Sequence, residues 1–170
     1  GLAQENMNRG AGWRFLDMGR RIERAINTCR LTRTFAHEEA TTDDLDLLLD
    51  LADSQITYRA RYLVGLARTP VRDMVLLDPF NPRSMAFQVV ALRDHLAELP
   101  SLQQDGMLEE PNRILLPLAT EMETADADHL SDAKMQGFER TLMRLSSAVA
   151  DRYFQQGANA APAIKLASLA

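Results

Sequence analysis

Apolar residues recur at three-and-four spacing through most of this chain, and no stretch alternates apolar with polar for more than a few residues. Strands need a period of two and helices one of 3.6, so the pattern predicts an all-α fold, a bundle of about five main helices joined by short turns. A first helix is expected from about Gly12 to Phe35, with Phe15, Met18, Ile22, Ala25, Ile26 and Cys29 on its core face and Gly10-Ala11-Gly12 as a turn feeding Trp13. Thr41-Thr42-Asp43-Asp44 reads as an N-cap followed by carboxylates that complement the helix dipole. This second helix is expected to reach about Arg68 before Pro70, with Leu45, Leu49, Ala52, Ile56 and Leu63 inward.

A short apolar stretch, Val71 to Leu77, leads into Asp78-Pro79-Phe80-Asn81-Pro82, where Asn81 is a cap candidate and Pro82 a first helical residue. The third helix then spans about Pro82 to Leu99, with Met85, Val89, Leu92 and Leu96 as its stripe. After a polar loop from Ser101 to Glu110, Pro111 opens a fourth helix to about Ala127, and Ser131 caps a fifth from Asp132 to about Gln156. Met135, Phe138, Leu142, Leu145, Val149 and Tyr153 make this last stripe the cleanest in the chain. Residues 1–156 are expected to form one helical domain and 157–170, small and nearly uncharged, a flexible tail.

Charge and cysteine content narrow the function classes. A net charge of -5 argues against general binding to nucleic acid. The single cysteine, Cys29, excludes an internal disulfide and a Cys-based zinc site and suits a reducing cytoplasm. The longest unbroken apolar run, Ile114 to Ala119, is far too short to span a bilayer, so no membrane partner is expected. Because Gly1 stands where an initiator Met is expected, the chain reads as a piece of something longer.

Two stripes do not suit a plain bundle. Opposite the core face of the first helix, Arg9, Trp13, Leu16, Arg20, Glu23, Arg24 and Asn27 share an arc that joins two guanidinium forks, a carboxylate and the only indole, a set suited to an anionic or carboxyl-bearing group. The blander alternative has Trp13 covering a neighbouring helix and Glu23 tying the arginines down. On the second helix Asp53, Thr57 and Arg61 step by four beside Tyr58 and Tyr62, and Arg59 falls near the apolar stripe. If the two flanks pack together, Asp53 or Glu23 would pair with Arg20, Arg24 or Arg59; such inter-helix pairs equally well serve packing alone.

Catalytic constellations are thin. His37, His95 and His129 are solitary, with no HExxH context, and no metal or cofactor is expected. Gly10 and Gly12 lack the remainder of a phosphate loop, Ser54, Ser84 and Ser131 sit in no nucleophile elbow, and Glu109-Glu110 and Glu121/Glu123 read as solvated charge.

Three blocks carry a resemblance: Met7 to Ala25, containing Gly19-Arg20-Arg21-Ile22-Glu23-Arg24-Ala25; Asp53 to Tyr62; and Leu76 to Gln88. Together they resemble the alpha-E family, the former DUF403 helical proteins of bacteria, and the chain looks like the C-terminal portion of an alpha-E region. The resemblance implies a setting and no reaction. Similar proteins occur beside or fused to circularly permuted ATP-grasp ligases, commonly with transglutaminase-like proteins, a context of peptide or amide-bond modification. The matching polar positions are Arg9, Trp13, Arg14, Arg20, Glu23 and Arg24, then Asp53, Thr57, Tyr58 and Arg61, then Asp78, Asn81 and Arg83 of a candidate recognition turn.

The favoured expectation is a non-catalytic accessory, docking or substrate-handling scaffold for such a ligase, with a peptide as possible substrate. One alternative is an enzyme of the same pathway using Glu23 or Asp53 as base, with Arg20, Arg24 or Arg61 stabilising an anion. The other is a purely structural, homo-oligomerising bundle.

Overall fold

A computed structural model describes residues 2–63 and 65–155, with side chains from Gly10 to Phe154 apart from residue 64. The expected tail, 157–170, and the side chain of Arg9 lie outside the described residues. Among the described residues there is no strand, and the fold is all-α. Seven α-helices among these residues take the place of five: α1 (Leu2–Phe35), α2 (Thr42–Leu51), α3 (Gln55–Arg61), α4 (Arg68–Arg72), α5 (Met85–Glu98), α6 (Glu110–Thr124) and α7 (Asp132–Ala150). Single π-helical turns extend α4 over Asp73–Leu77 and α7 over Asp151–Gln155.

The long α1 is the wall on which α5 and α7 pack, and α6 closes the layer between those two. Its buried Met18, Ile22, Ala25 and Cys29 meet Val89, Leu92 and Leu96 of α5 and Met135, Phe138, Leu142 and Leu145 of α7 in one core. Phe15 and Ile26 flank it, partly buried. Thr41 makes the expected cap as a full capping box with Asp44, and the Ser84 and Ser131 hydroxyls cap α5 and α7.

Several boundaries correct the sequence reading. Gly10-Ala11-Gly12 is no turn: helix α1 runs through it, glycine costing only about 1 kcal/mol in a helix this long. The second helix breaks at Asp53, whose φ is +49°, and stops at Arg61 rather than Arg68. Asp53 N–H bonds the Asp50 carbonyl (3.0 Å) and Ser54 N–H the Leu49 carbonyl (2.8 Å), the paired bonds of a Schellman ending with aspartate at its left-handed residue. The break re-aims α3. Ile56 (87% exposed) and Leu63 (98%) leave the core, and Tyr58 (2%) takes their place against Tyr62 at 4.8 Å. Arg59 is exposed. Ser84 rather than Asn81 caps the third long helix, so Pro82 precedes it, and the stretch from Val71 to Leu77 is helical.

Two buried charges hold the layers. Glu139 of α7, nearly unexposed, accepts from Arg30 Nε (3.0 Å) and Arg33 Nε (2.7 Å) of α1. Arg72, 1% exposed, donates from Nη1 to the Ala36 carbonyl (3.0 Å), from Nε to that of Ala127 (2.9 Å) and from Nη2 to that of Leu130 (2.5 Å). One side chain thereby ties the end of α1 to the α6–α7 connection. Glu109 corrects its reading as solvated charge: it is buried, accepts the N–H groups of Leu102 (2.6 Å) and Gln103 (2.8 Å), and pairs with Arg152 (2.7 Å).

Arg72→Met and Arg72→Lys should each cost roughly 3 kcal/mol or more in urea unfolding, because neither provides a three-way fork and buried carbonyls lose their donor. Burial, with the Glu139 charge nearby, pushes the Cys29 thiol up to about 12, and its Sγ donates to the Met135 carbonyl (3.3 Å). An aromatic disulfide reagent at pH 8 should therefore modify Cys29 only after denaturant unfolds the domain.

Candidate functional site

The bend at Asp53 and the turn before α5 both approach α1, and between the three lies an open cleft of about 450 Å³. Arg20, Glu23, Arg24 and Asn27 line it from α1, Leu51 and Asp53 from the bend, and Arg83 from the turn. Five of the sequence candidates thus meet at one concavity: Arg20, Glu23, Arg24, Asp53 and Arg83. Asp53 pairs with Arg83 at 3.0 Å across the cleft. The expected pairing of Asp53 or Glu23 with Arg20, Arg24 or Arg59 does not form; among the described residues these three arginines and Glu23 make no salt bridge.

A buried hydrogen-bond net holds Arg83 in place. Asn81 Nδ2 donates to Ser54 Oγ (3.0 Å) and to the Met74 carbonyl (3.0 Å), while its Oδ1 accepts the Arg83 N–H (3.1 Å). Asp78 accepts the Phe80 N–H (2.9 Å) and pairs with Arg61. Gln88 bonds the carbonyls of Pro82 (2.8 Å) and Ser84 (2.9 Å). Asp78 and Asn81 are therefore buried corner posts of the candidate recognition turn, and Arg83 is the member that reaches the cleft. Arg61 is committed to Asp78, Tyr58 is core, and Thr57 is half-buried outside the cleft.

Trp13 stands apart from the arginine cleft. It is 59% exposed, meets the His95 ring edge-on at 5.7 Å, and lines a neighbouring groove of about 410 Å³ with Arg14, Asp17, Arg21 and the α5 residues Asp94 and Glu98. Beneath it runs a network that sequence reasoning missed, because its members come from two helices. Arg14 Nη1 donates to His95 Nδ1 (3.0 Å); a guanidinium has no acceptor, so this ring nitrogen is unprotonated and Nε2 donates to Asp17 Oδ2 (2.6 Å). Arg21 Nε also donates to Asp17 (2.7 Å), and its Nη1 to Gln88 (3.1 Å). The i, i+4 spacing of Asp17 and Arg21 is the one part of this network visible along the chain.

Among the described residues no group of three or more His, Cys, Asp or Glu is placed to hold a metal, and the cleft presents neither a cysteine nor a histidine. What it presents is two guanidinium groups without a salt-bridge partner among the described residues and a third held across from them, a geometry that grips carboxylate or phosphate oxygens.

Comparison with known proteins bears on this surface. The model of the Alpha-E family, described as a predicted alpha-helical domain with a conserved ER motif, matches residues 1–154. This chain holds two Glu-Arg pairs: Glu23-Arg24 in the cleft, and Glu139-Arg140, whose glutamate is buried against α1. Uncharacterized proteins of Mycobacterium bovis and Mycobacterium tuberculosis are 27% identical over 153 residues, a match covering 88% of this chain and 17% of each relative. The chain thus spans about a sixth of the length of these relatives. No solved structure matches it significantly.

Partial burial by itself would raise the Asp17 carboxyl, but the bonds from His95 and Arg21 together hold it below the usual carboxylate range. Its folded value being the lower one, Asp17 stabilises the fold above the ordinary aspartate pKa, and that contribution disappears as the pH falls through the folded value. Wild type should therefore exceed Asp17→Asn in urea stability at pH 7, with the gap closing below about pH 4.

Proposed function

Since the chain belongs to the Alpha-E family, we propose that it is a cytoplasmic helical module that holds or docks an anionic group for an ATP-grasp type amide ligase, without carrying out the bond-forming step itself. The observation that carries this reading is the cleft where Arg20 and Arg24 stand exposed beside Glu23, without a salt-bridge partner among the described residues, opposite an Arg83 fixed by a buried turn. An ion pair formed only for packing would be closed on itself. Here two guanidinium forks of an acidic chain are left for an external partner. The ligase and transglutaminase-like partners follow from the setting the sequence resemblance implies, and a peptide is the substrate class native to that setting. The cleft is open to water, which suits holding a charged group better than stabilising a developing one.

A second reading keeps a specific support: Glu23 and Asp53 line the same cleft, the geometric condition for either to act as a base. The two readings separate on one substitution. In an assay of ligase and domain together, Glu23→Gln should change apparent affinity if the cleft holds substrate, and kcat alone if Glu23 moves a proton.

The direct test is a titration of the domain against the ATP-grasp ligase encoded with it, wild type beside an Arg20→Ala, Arg24→Ala double variant. Both arginines are exposed, so the variant should keep its fold and bind at least about tenfold more weakly. Unchanged binding would return the arginines to a structural role, and no binding by wild type would remove the ligase as partner.

A further inference from the structure

The arginine cleft and the Trp13 groove follow one another along α1, Arg20 lining the first and its neighbour Arg21 the second. We propose that they form one track for an extended peptide, its terminal carboxylate held by Arg20 and Arg24 and an apolar side chain about five residues earlier resting on Trp13. The inference rests on the reading above in taking the cleft as a substrate-holding surface, and it adds the ligand class, its polarity and its length.

Helix geometry supplies the alignment. At about 100° per residue, Trp13, Asp17, Arg20 and Arg24 fall within about 60° of the circumference of α1, so they form one ridge. The step from Trp13 to Arg24 is about three full turns and about 16 Å along the axis. An extended chain rises about 3.3 Å per residue and covers that distance in about five steps.

Charge sets the direction. At the Trp13 end the cations are engaged: Arg14 with His95, and Arg21 with Asp17 and Gln88 and over the Phe87 ring at 5.9 Å. At the other end Arg83 is engaged by Asp53, while Arg20 and Arg24 have no salt-bridge partner among the described residues. The free positive charge of the track is therefore concentrated in the cleft, where a carboxylate gains charge-assisted hydrogen bonds. The exposed indole at the opposite end offers a large apolar plate at low entropic cost. Glu23 and Asn27, on the cleft wall, provide acceptors for peptide N–H groups.

Trp13 is the only tryptophan in the chain, so its fluorescence reports occupancy of that end alone. The domain is titrated with Phe-Ala-Ala-Ala-Ala-Glu as the free acid, with the same peptide carrying neutral glutamine amide at its C-terminus, and with Ala-Ala-Glu. The free acid should shift Trp13 emission saturably, and the amidated glutamine form should bind at least about tenfold more weakly. The short acid should compete with the long one while leaving the emission unmoved. The Arg20→Ala, Arg24→Ala variant, its fold checked by circular dichroism, should lose the response, and Arg24→Lys should retain part of it.

Equal binding of acid and amide overturns the carboxylate anchor, and an emission change with Ala-Ala-Glu overturns the length assignment. No response to any of the peptides, in a domain that still binds the ligase, overturns the track and leaves the docking role standing. Peptide binding of the expected pattern without ligase binding upholds the track and removes the ligase.

Discussion

The fold turns on the guanidinium of Arg72, buried with three donors aimed at three carbonyl groups. The carbonyls belong to the segment after α1 and to the α6–α7 connection, places where helix ends leave oxygens without intrahelical partners. Among the described residues Arg72 makes no salt bridge, and the nearby Asp128 pairs with Arg68 instead. Burial and the neighbouring Arg68 both push the Arg72 pKa down, yet arginine lies so far above neutrality that it remains charged. Carbonyl dipoles stand in for a counter-ion, and they do so only while the three segments stay in place. The buried charge consequently acts against every arrangement that moves one of them, which favours one packing over near alternatives.

Two residues along the chain from Arg72, at Met74, a second buried polar net is organised in the same way. Asn81 links the α2–α3 bend, through Ser54, to the π-helical turn after α4 and to the backbone of Arg83. Asp78 fixes Arg61 and the start of the turn. Ser54, Asp78 and Asn81 are shielded from water and occupied with partners, while the charges around the cleft are wet. Rigid buried posts beneath exposed charged tips are what a recognition surface requires, since side chains held by their backbone lose less freedom on binding.

Class, most helix stripes and two caps, Thr41 and Ser131, were legible in the sequence because they depend on neighbours within a turn or two. Met135, Phe138, Leu142, Leu145 and Val149 needed only a period of 3.6 to be placed in the core, and all five are buried. The break at Asp53 was not legible: the left-handed residue ending a helix is usually glycine, and an aspartate there gives no punctuation signal. Everything beyond it inherits the error, since a continuous helix turns Ile56 and Leu63 inward while the new helix axis points them out. Of the candidate site, the α1 arc was legible as helix periodicity. Its separation into an arginine cleft and a tryptophan groove was not, because α5 and the Arg83 turn create that division from the far side. Arg72, Glu109 and the pair Asp17–His95 stayed hidden because their partners lie 36 to 78 positions away, except for the short loop closed by Glu109.

The left-handed backbone at Asp53 carries a consequence for how such a domain can be improved. A glycine there would relieve a strain of about 1 kcal/mol in the bend, partly offset by the extra freedom of its unfolded chain. It would also delete the carboxylate that restrains Arg83, adding a third loose cation to the two already in the cleft. Heat resistance and ligand discrimination therefore pull this single position in opposite directions, and a sequence selected purely for melting temperature would drift toward a tougher domain with a blunter grip.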